Sequence, residues 1–304
     1  MPTSRERATV GRYQSAALSW ALSGWALSGL VLCACDREAA VHEAPGPPHA
    51  SDPERVPVPG GTLTHGGAAR VIEPFELDRT FVTRARFDRF VAETGHVTQA
   101  ERAGDGNVLD LATGRWRVVA GASFRFPRGP DAEAAPADHP ATQLSLADAE
   151  AFCAWAGGRV PTELEWEHAA RNARDDRSQY PWGEEPYPAG RAQANTWEGA
   201  FPSVNTLRDG HLFTSAVGAF PPSALGLRDI VGNVWHWTRS PFDPAHDDGA
   251  VALRGGSHLC DPDVCHGFRI EARQRAERTE RFAHVGVRCR YVIGAGRSPT
   301  APAE

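Results

Sequence analysis

From about Val56 to Ile293, glycine, proline or tryptophan recurs every few positions, and few stretches keep one hydrophobic period for long. Glycine and proline punctuate helices and strands, so this texture predicts a loop-rich α+β domain with little regular secondary structure. With 304 residues and 41% apolar content the chain can bury a sizeable core, and one domain accounts for the pattern. No internal repeat is present.

Local signals predict three helices. Thr83 caps a segment whose Phe87, Phe90 and Val91 share a face, and Gly95 ends it. Ser145 with Asp148 forms a capping-box pattern ahead of Ala149 to Trp155. Thr162 with Glu165 forms another ahead of Trp166 to Arg171, after a turn at Gly157-Gly158 and Pro161. Strands are expected over Arg70 to Leu77, Ala252 to Arg254 and Val285 to Tyr291.

The net charge is -6, with no clustered basic face, which argues against nucleic-acid binding. Every Lys/Arg position is Arg. The missing lysine excludes Schiff-base chemistry, a phosphate-loop lysine and a Ser-Lys dyad. Arg5, Arg7 and Arg12 precede an uncharged run from Tyr13 to Cys35, the layout of an export signal. It ends in Leu32-Cys33-Ala34-Cys35, which resembles the bacterial lipoprotein processing box. Residues 1–35 are thus expected to be a lipoprotein signal peptide, with Cys35 lipidated and exposed to the periplasm or cell exterior; an uncleaved membrane helix and plain secretion are the alternatives. The Pro- and Ala-rich stretch 36–55 reads as a flexible tether and 294–304 as a disordered tail. Contact with the membrane is then expected only through the N-terminal lipid.

Setting Cys33 and Cys35 aside leaves Cys153, Cys260, Cys265 and Cys289. Two thiols spaced as Cys260 and Cys265 can converge from a turn and select Cu(I) or Zn(II), while a local disulfide is the plainer outcome in an oxidising compartment.

Several segments together resemble the formylglycine-generating enzyme family of sulfatase-modifying factors. They are Arg159-Val160-Pro161-Thr162-Glu163-Leu164-Glu165-Trp166-Glu167, Tyr180-Pro181-Trp182-Gly183, Gly232-Asn233-Val234-Trp235-His236-Trp237-Thr238, and Arg254-Gly255-Gly256-Ser257 through Cys289. The resemblance covers residues 56–293 and implies that family's fold, with its C-type-lectin-like core. It implies copper-dependent oxidation of a client cysteine, in a Cys-x-Pro-x-Arg-like segment of a sulfatase, to formylglycine by O2. Cys260 and Cys265 carry over as Cu(I) ligands and Ser257 as a catalytic-pocket serine, which is equally a turn residue after Gly255-Gly256. Cys153 and Cys289 match a structural disulfide. Asn195 and Asp209 through side chains, with Thr196 and His211 through carbonyls, match a Ca2+ site, or else Asx turns. A second Ca2+ site maps to Asp229, Gly232, Val234 and His236, where the family usually has Glu in place of the imidazole.

Further departures are Val264 where an aromatic residue is frequent, Asp261-Pro262-Asp263 between the thiols, and His284 where Asn is usual. His258 and His284 read as hydrogen-bonded structural histidines or as acid, base or ligand in the substrate pocket. Trp235 reads as core or groove wall. The competing function is a non-catalytic binding or assembly lipoprotein on the same fold. The related iron-dependent sulfoxide synthases need a His-x3-His-x-Glu motif, which the sequence lacks.

Overall fold

The computed structural model describes residues 54–294 apart from 247 and 264. The chain separates into Met1–Ala44 and Pro45–Glu304, and the described residues all lie in the second unit. The expected signal sequence with Cys35, nearly all of the expected tether, the residues from 295 onward and Val264 fall outside the described residues.

The first sheet is antiparallel, with β4 (Phe75–Asp78) between β1 (Arg55–Val58) and β11 (Arg290–Tyr291). A hairpin of β2 (Gly61–His65) and β3 (Ala68–Ile72) lies between β1 and β4 in sequence. A second hairpin pairs β5 (Asp105–Asp110) with β6 (Arg115–Ala120). The larger sheet has the order β10-β7-β8-β9, with β7 Trp235–Pro241, β8 Ala250–Arg254, β9 Arg273–Glu277 and β10 Val285–Gly286. β10 runs parallel to β7 and the other pairs are antiparallel. Four α-helices complete the set among the described residues: α1 (Arg84–Thr94), α2 (Gln99–Ala103), α3 (Leu146–Trp155) and α4 (Glu163–Ala170). Long loops connect them, as the texture of the sequence leads one to expect.

The three helix starts follow their capping residues. Thr83 accepts from the Arg86 N–H, and Gly95 closes α1 in the left-handed conformation at φ 68°. The boxes Ser145–Asp148 and Thr162–Glu165 are reciprocal. The same box at Thr98–Glu101 opens α2, which the sequence reading passes over because five residues carry no periodic run. Two strand expectations need correction. The stretch Arg70 to Leu77 divides at Glu73-Pro74, since Pro74 has no N–H for a ladder. The stretch Val285 to Tyr291 supplies β10 to one sheet and β11 to the other, so its middle crosses between sheets. β1 also takes in Arg55, at the end of the stretch read as tether.

The core joins these layers through aromatic packing. Phe87, Phe90 and Phe152 stack or meet edge-on across α1 and α3, and Trp166, Trp237 and Tyr291 are fully buried beneath the sheets. Cys153 on α3 is disulfide-bonded to Cys289 just before β11, as the resemblance implies, with 5.5 Å between the Cα atoms. That bond spans 136 positions of sequence.

Candidate active site and cation sites

β8 ends at Arg254, whose guanidinium is completely buried. It donates to Glu163 Oε1 at 2.6 Å, to Glu167 Oε2 at 3.1 Å and to Ile270 O, fixing the strand end against α4. The chain then turns through Gly255 and Gly256 at φ 91° and 70°. Both positions exclude a side chain: a Cβ on Gly255 would sit 2.9 Å from Trp166, and one on Gly256 2.6 Å from Phe268 N. This close passage places Ser257 and the loop to Cys265 over the end of the sheet.

Cys260 is buried and Cys265 exposed, and neither is in a disulfide. Both sulfurs face one point: a Cβ added to Gly267 would lie 2.5 Å from Cys260 Sγ, 2.9 Å from Cys265 Sγ and 2.9 Å from Trp235 Cζ2. Gly267 therefore leaves a cradle between the two thiols. A hydrogen bond with Cys265, and then burial, push the Cys260 thiol up, while the bond from Cys260 brings Cys265 below an ordinary thiol. The pair is thus poised to lose its first proton from Cys265 and hold the second between the sulfurs, a place that suits a soft cation. Among the described residues no three or more His, Cys, Asp or Glu side chains gather to hold a metal ion. This chain then offers two thiol ligands at that point.

Ser257 Oγ lies 4.0 Å from Cys260 Sγ and also accepts the Leu259 N–H at 3.2 Å, so the pocket and turn readings coexist in one side chain. His258 is tied down twice to Asn233 O, by its backbone N–H at 2.9 Å and by Nδ1–H at 2.8 Å. Its Nε2 is then the lone-pair nitrogen. Burial lowers the His258 pKa to about 4. His284, lowered to about 3 mainly by burial, stacks near Trp116 with ring centroids 4.8 Å apart and has a buried Nδ1 without a partner. The two histidines line one small cavity with Trp116. Trp235 is buried in the core, and its backbone N–H donates to His284 O at 2.8 Å, linking the histidine wall to the thiol cradle.

The residues matched to the first calcium site also come together. Asp209 accepts the Thr196 N–H at 3.1 Å and the His211 N–H at 2.9 Å. Asn195 is buried with its Oδ1 unpartnered. Glu198, which the sequence reading does not single out, adds a second unpartnered oxygen, this one of a carboxylate, and burial followed by the nearby Asp209 raises its pKa. Burial likewise raises that of Asp209. Orphaned oxygens and two disfavoured carboxylates are what a hard cation relieves. The set Asp229, Gly232, Val234 and His236 differs. Arg288 donates to His236 Nε2 at 3.2 Å and to Asp229 O at 3.1 Å, while Asp229 Oδ2 accepts the Gly218 N–H at 2.5 Å. Burial, then the Arg288 charge, keep His236 neutral. A guanidinium already supplies the positive charge here, so these residues do not fit a divalent ion.

Gly267, Asn233 and Glu198 are the residues sequence reasoning misses. Asn233 sits at φ 61° and holds both His258 and Ser215, a role that only its position in three dimensions reveals.

Comparisons agree with this architecture. The chain is 41% identical over 265 residues to a formylglycine-generating enzyme of Streptomyces coelicolor, covering 78% of this chain and 83% of that one. It is 35% identical over 276 residues to the inactive C-alpha-formylglycine-generating enzyme 2 of Mus musculus, covering 81% and 88%. The structure of PvdO from Pseudomonas aeruginosa superposes with a TM-score of 0.58 at 25% identity, over 79% of this chain and 95% of that one. Since a sulfatase-modifying factor enzyme 1-like domain matches residues 41–292 and takes in both sheets and the thiol loop, the chain belongs to that family.

Proposed function

We propose that this chain oxidises a cysteine of a sulfatase-like protein client to Cα-formylglycine, using O2 and Cu(I) held by Cys260 and Cys265. The observation that carries the reading is the pair of unbridged thiols converging on Gly267, while Cys153 and Cys289 are consumed in a bridge elsewhere. It matters because the family includes a relative named as inactive, so fold alone does not decide activity. Cys260 and Cys265 would hold the copper, which would supply the redox chemistry between O2 and the client cysteine. This chain's residues do the rest. Cys265 is the readily ionised thiol, Cys260 holds the remaining proton in a dry environment, and Ser257 lies beside that sulfur. Gly267 keeps the approach open, and the Trp235 edge closes one side against water.

Reduced protein loaded with Cu(I) and given a Cys-x-Pro-x-Arg peptide under O2 should yield the aldehyde by mass. Cys260→Ser or Cys265→Ser should abolish both tight copper uptake and product while the domain stays folded. A folded, reduced wild type that takes up no Cu(I) and leaves the peptide unchanged would favour the non-catalytic assembly module instead. Around Asn195, Thr196, Asp209 and His211 we assign Ca2+, supported by the orphaned oxygens there. The export reading places lipid on Cys35 and the domain outside the cytoplasm; fatty-acid labelling lost in Cys35→Ser but kept in Cys33→Ser is its test.

A further inference from the structure

Beside the thiol site lies a charged residue with no part in the chemistry above. Phe126–Gly129 forms a tight turn in which the Gly129 N–H donates to Phe126 O at 2.9 Å, while the Gln143 amide donates to Pro127 O at 2.7 Å. Gly129 takes φ 100°, and a Cβ there would meet Val119 of β6 at 2.7 Å, so the turn is locked against the hairpin. It presents Arg128 with its guanidinium carbon 3.9 Å from the centre of the Phe213 ring. Arg128 lines two adjoining cavities. The larger, about 250 Å³, includes His139, Thr142 and Thr214; the smaller holds Trp116 and His284; His258 lines both.

Among the described residues Arg128 makes no hydrogen bond and no ion pair, and its nitrogens are not sealed from solvent. Glu133 lies on the wall of the larger cavity but is exposed and does not pair with it. The other basic side chains on these walls are histidines, which unlike a guanidinium carry no fixed charge. The guanidinium is therefore the fixed positive charge of this groove. A planar fork of N–H donors, held over an aromatic ring with no protein acceptor, is preorganised for a carboxylate.

We propose that Arg128 recognises a carboxylate of the client: an Asp or Glu side chain carried near the cysteine to be modified. The location of the client in this groove rests on the oxidase reading; the charge preference rests on Arg128 itself. The test uses fluorescent peptides with a Cys-x-Pro-x-Arg core and one Asp placed in turn at each flanking position, with Asn in the same place as the neutral control. Anisotropy with the metal-free full chain gives Kd, and mass after Cu(I) loading gives aldehyde yield. At one position the Asp peptide should bind about tenfold tighter than its Asn control, an advantage that shrinks with added salt. Arg128→Ala should erase the difference and Arg128→Glu invert it, both with an unchanged melting temperature. Equal Kd values for Asp and Asn at every position, no binding of either, or a ratio unmoved by Arg128→Glu would overturn the proposal. Aldehyde without the preference leaves the oxidase reading intact and removes Arg128. The preference without aldehyde does the opposite.

Discussion

Gly267 shows how one missing side chain sets chemistry. Its backbone takes no left-handed conformation, so alanine is tolerated by the main chain. The added methyl would nonetheless lie 2.5 Å from Cys260 Sγ, well inside contact distance. Gly267→Ala is therefore expected to lose Cu(I) uptake and aldehyde formation, with a destabilisation of about 1–3 kcal/mol, the usual cost of overpacking. Copper titration beside thermal unfolding checks it; full copper affinity in the variant would show that the cradle is not the metal site. Arg254 illustrates the opposite case, a charge with a structural duty. Arg254→Ala would take one guanidinium from Glu163 and Glu167, which keep Arg273 and Arg171 as partners, and should cost about 1–3 kcal/mol by denaturant unfolding.

At the scale of elements, α4 is held by its first turn. Glu165 accepts the Thr162 N–H at 2.8 Å and both Arg159 Nη atoms, at 2.8 and 2.5 Å, and Arg290 Nε approaches to 3.2 Å. Burial by itself would raise this carboxyl, but the Arg159 and Thr162 hydrogen bonds together with the Arg159 charge outweigh it and hold the pKa below 4.5. A depressed folded pKa means stability that is present above the unfolded value and lost as pH falls through the folded one. Unfolding free energy should thus decline below about pH 4.5. Glu165→Gln should lower stability by about 1.5–3 kcal/mol at neutral pH and flatten that acid limb. An acid limb unchanged in the variant would assign the titration to other carboxylates. The caps at Thr83, Ser145 and Thr162 were readable because capping is local, three residues reaching one another within a turn. The division at Glu73-Pro74 was equally local, yet the strand expectation from Arg70 to Leu77 ran across it. The crossing of Val285 to Tyr291 between sheets was not, since Val, Gly, Arg and Tyr fit an uninterrupted strand and only the partners show the break. In the same way the motifs give Cys260 and Cys265 a role, but none to Gly267, Asn233 or Arg128, whose roles arise where distant segments meet.

Over the whole molecule, the Cys153–Cys289 bond fastens α3 to the segment entering β11. Cys153→Ser with Cys289→Ser should cost about 2–5 kcal/mol while leaving Cu(I) stoichiometry in the folded fraction unchanged. Loss of copper binding from a variant that remains folded would join the bridge to the site and refute their separation. The C-terminal position of β11 in the first sheet has a further outcome for a chain made from its N-terminus. β4 receives β1 early, yet its other edge waits for Arg290 and Tyr291, almost the last described residues. Until Arg290 and Tyr291 have been made, that edge carries open N–H and C=O groups able to pair with a stranger. A stop codon after Gly286 would spare Cys260, Cys265, the histidine wall and Arg128, and still release a sticky, half-closed protein lacking both Cys289 and β11. The integrity of the enzyme is thus certified by β11, and a cell that degrades open sheet edges would clear a copy that stops short of it.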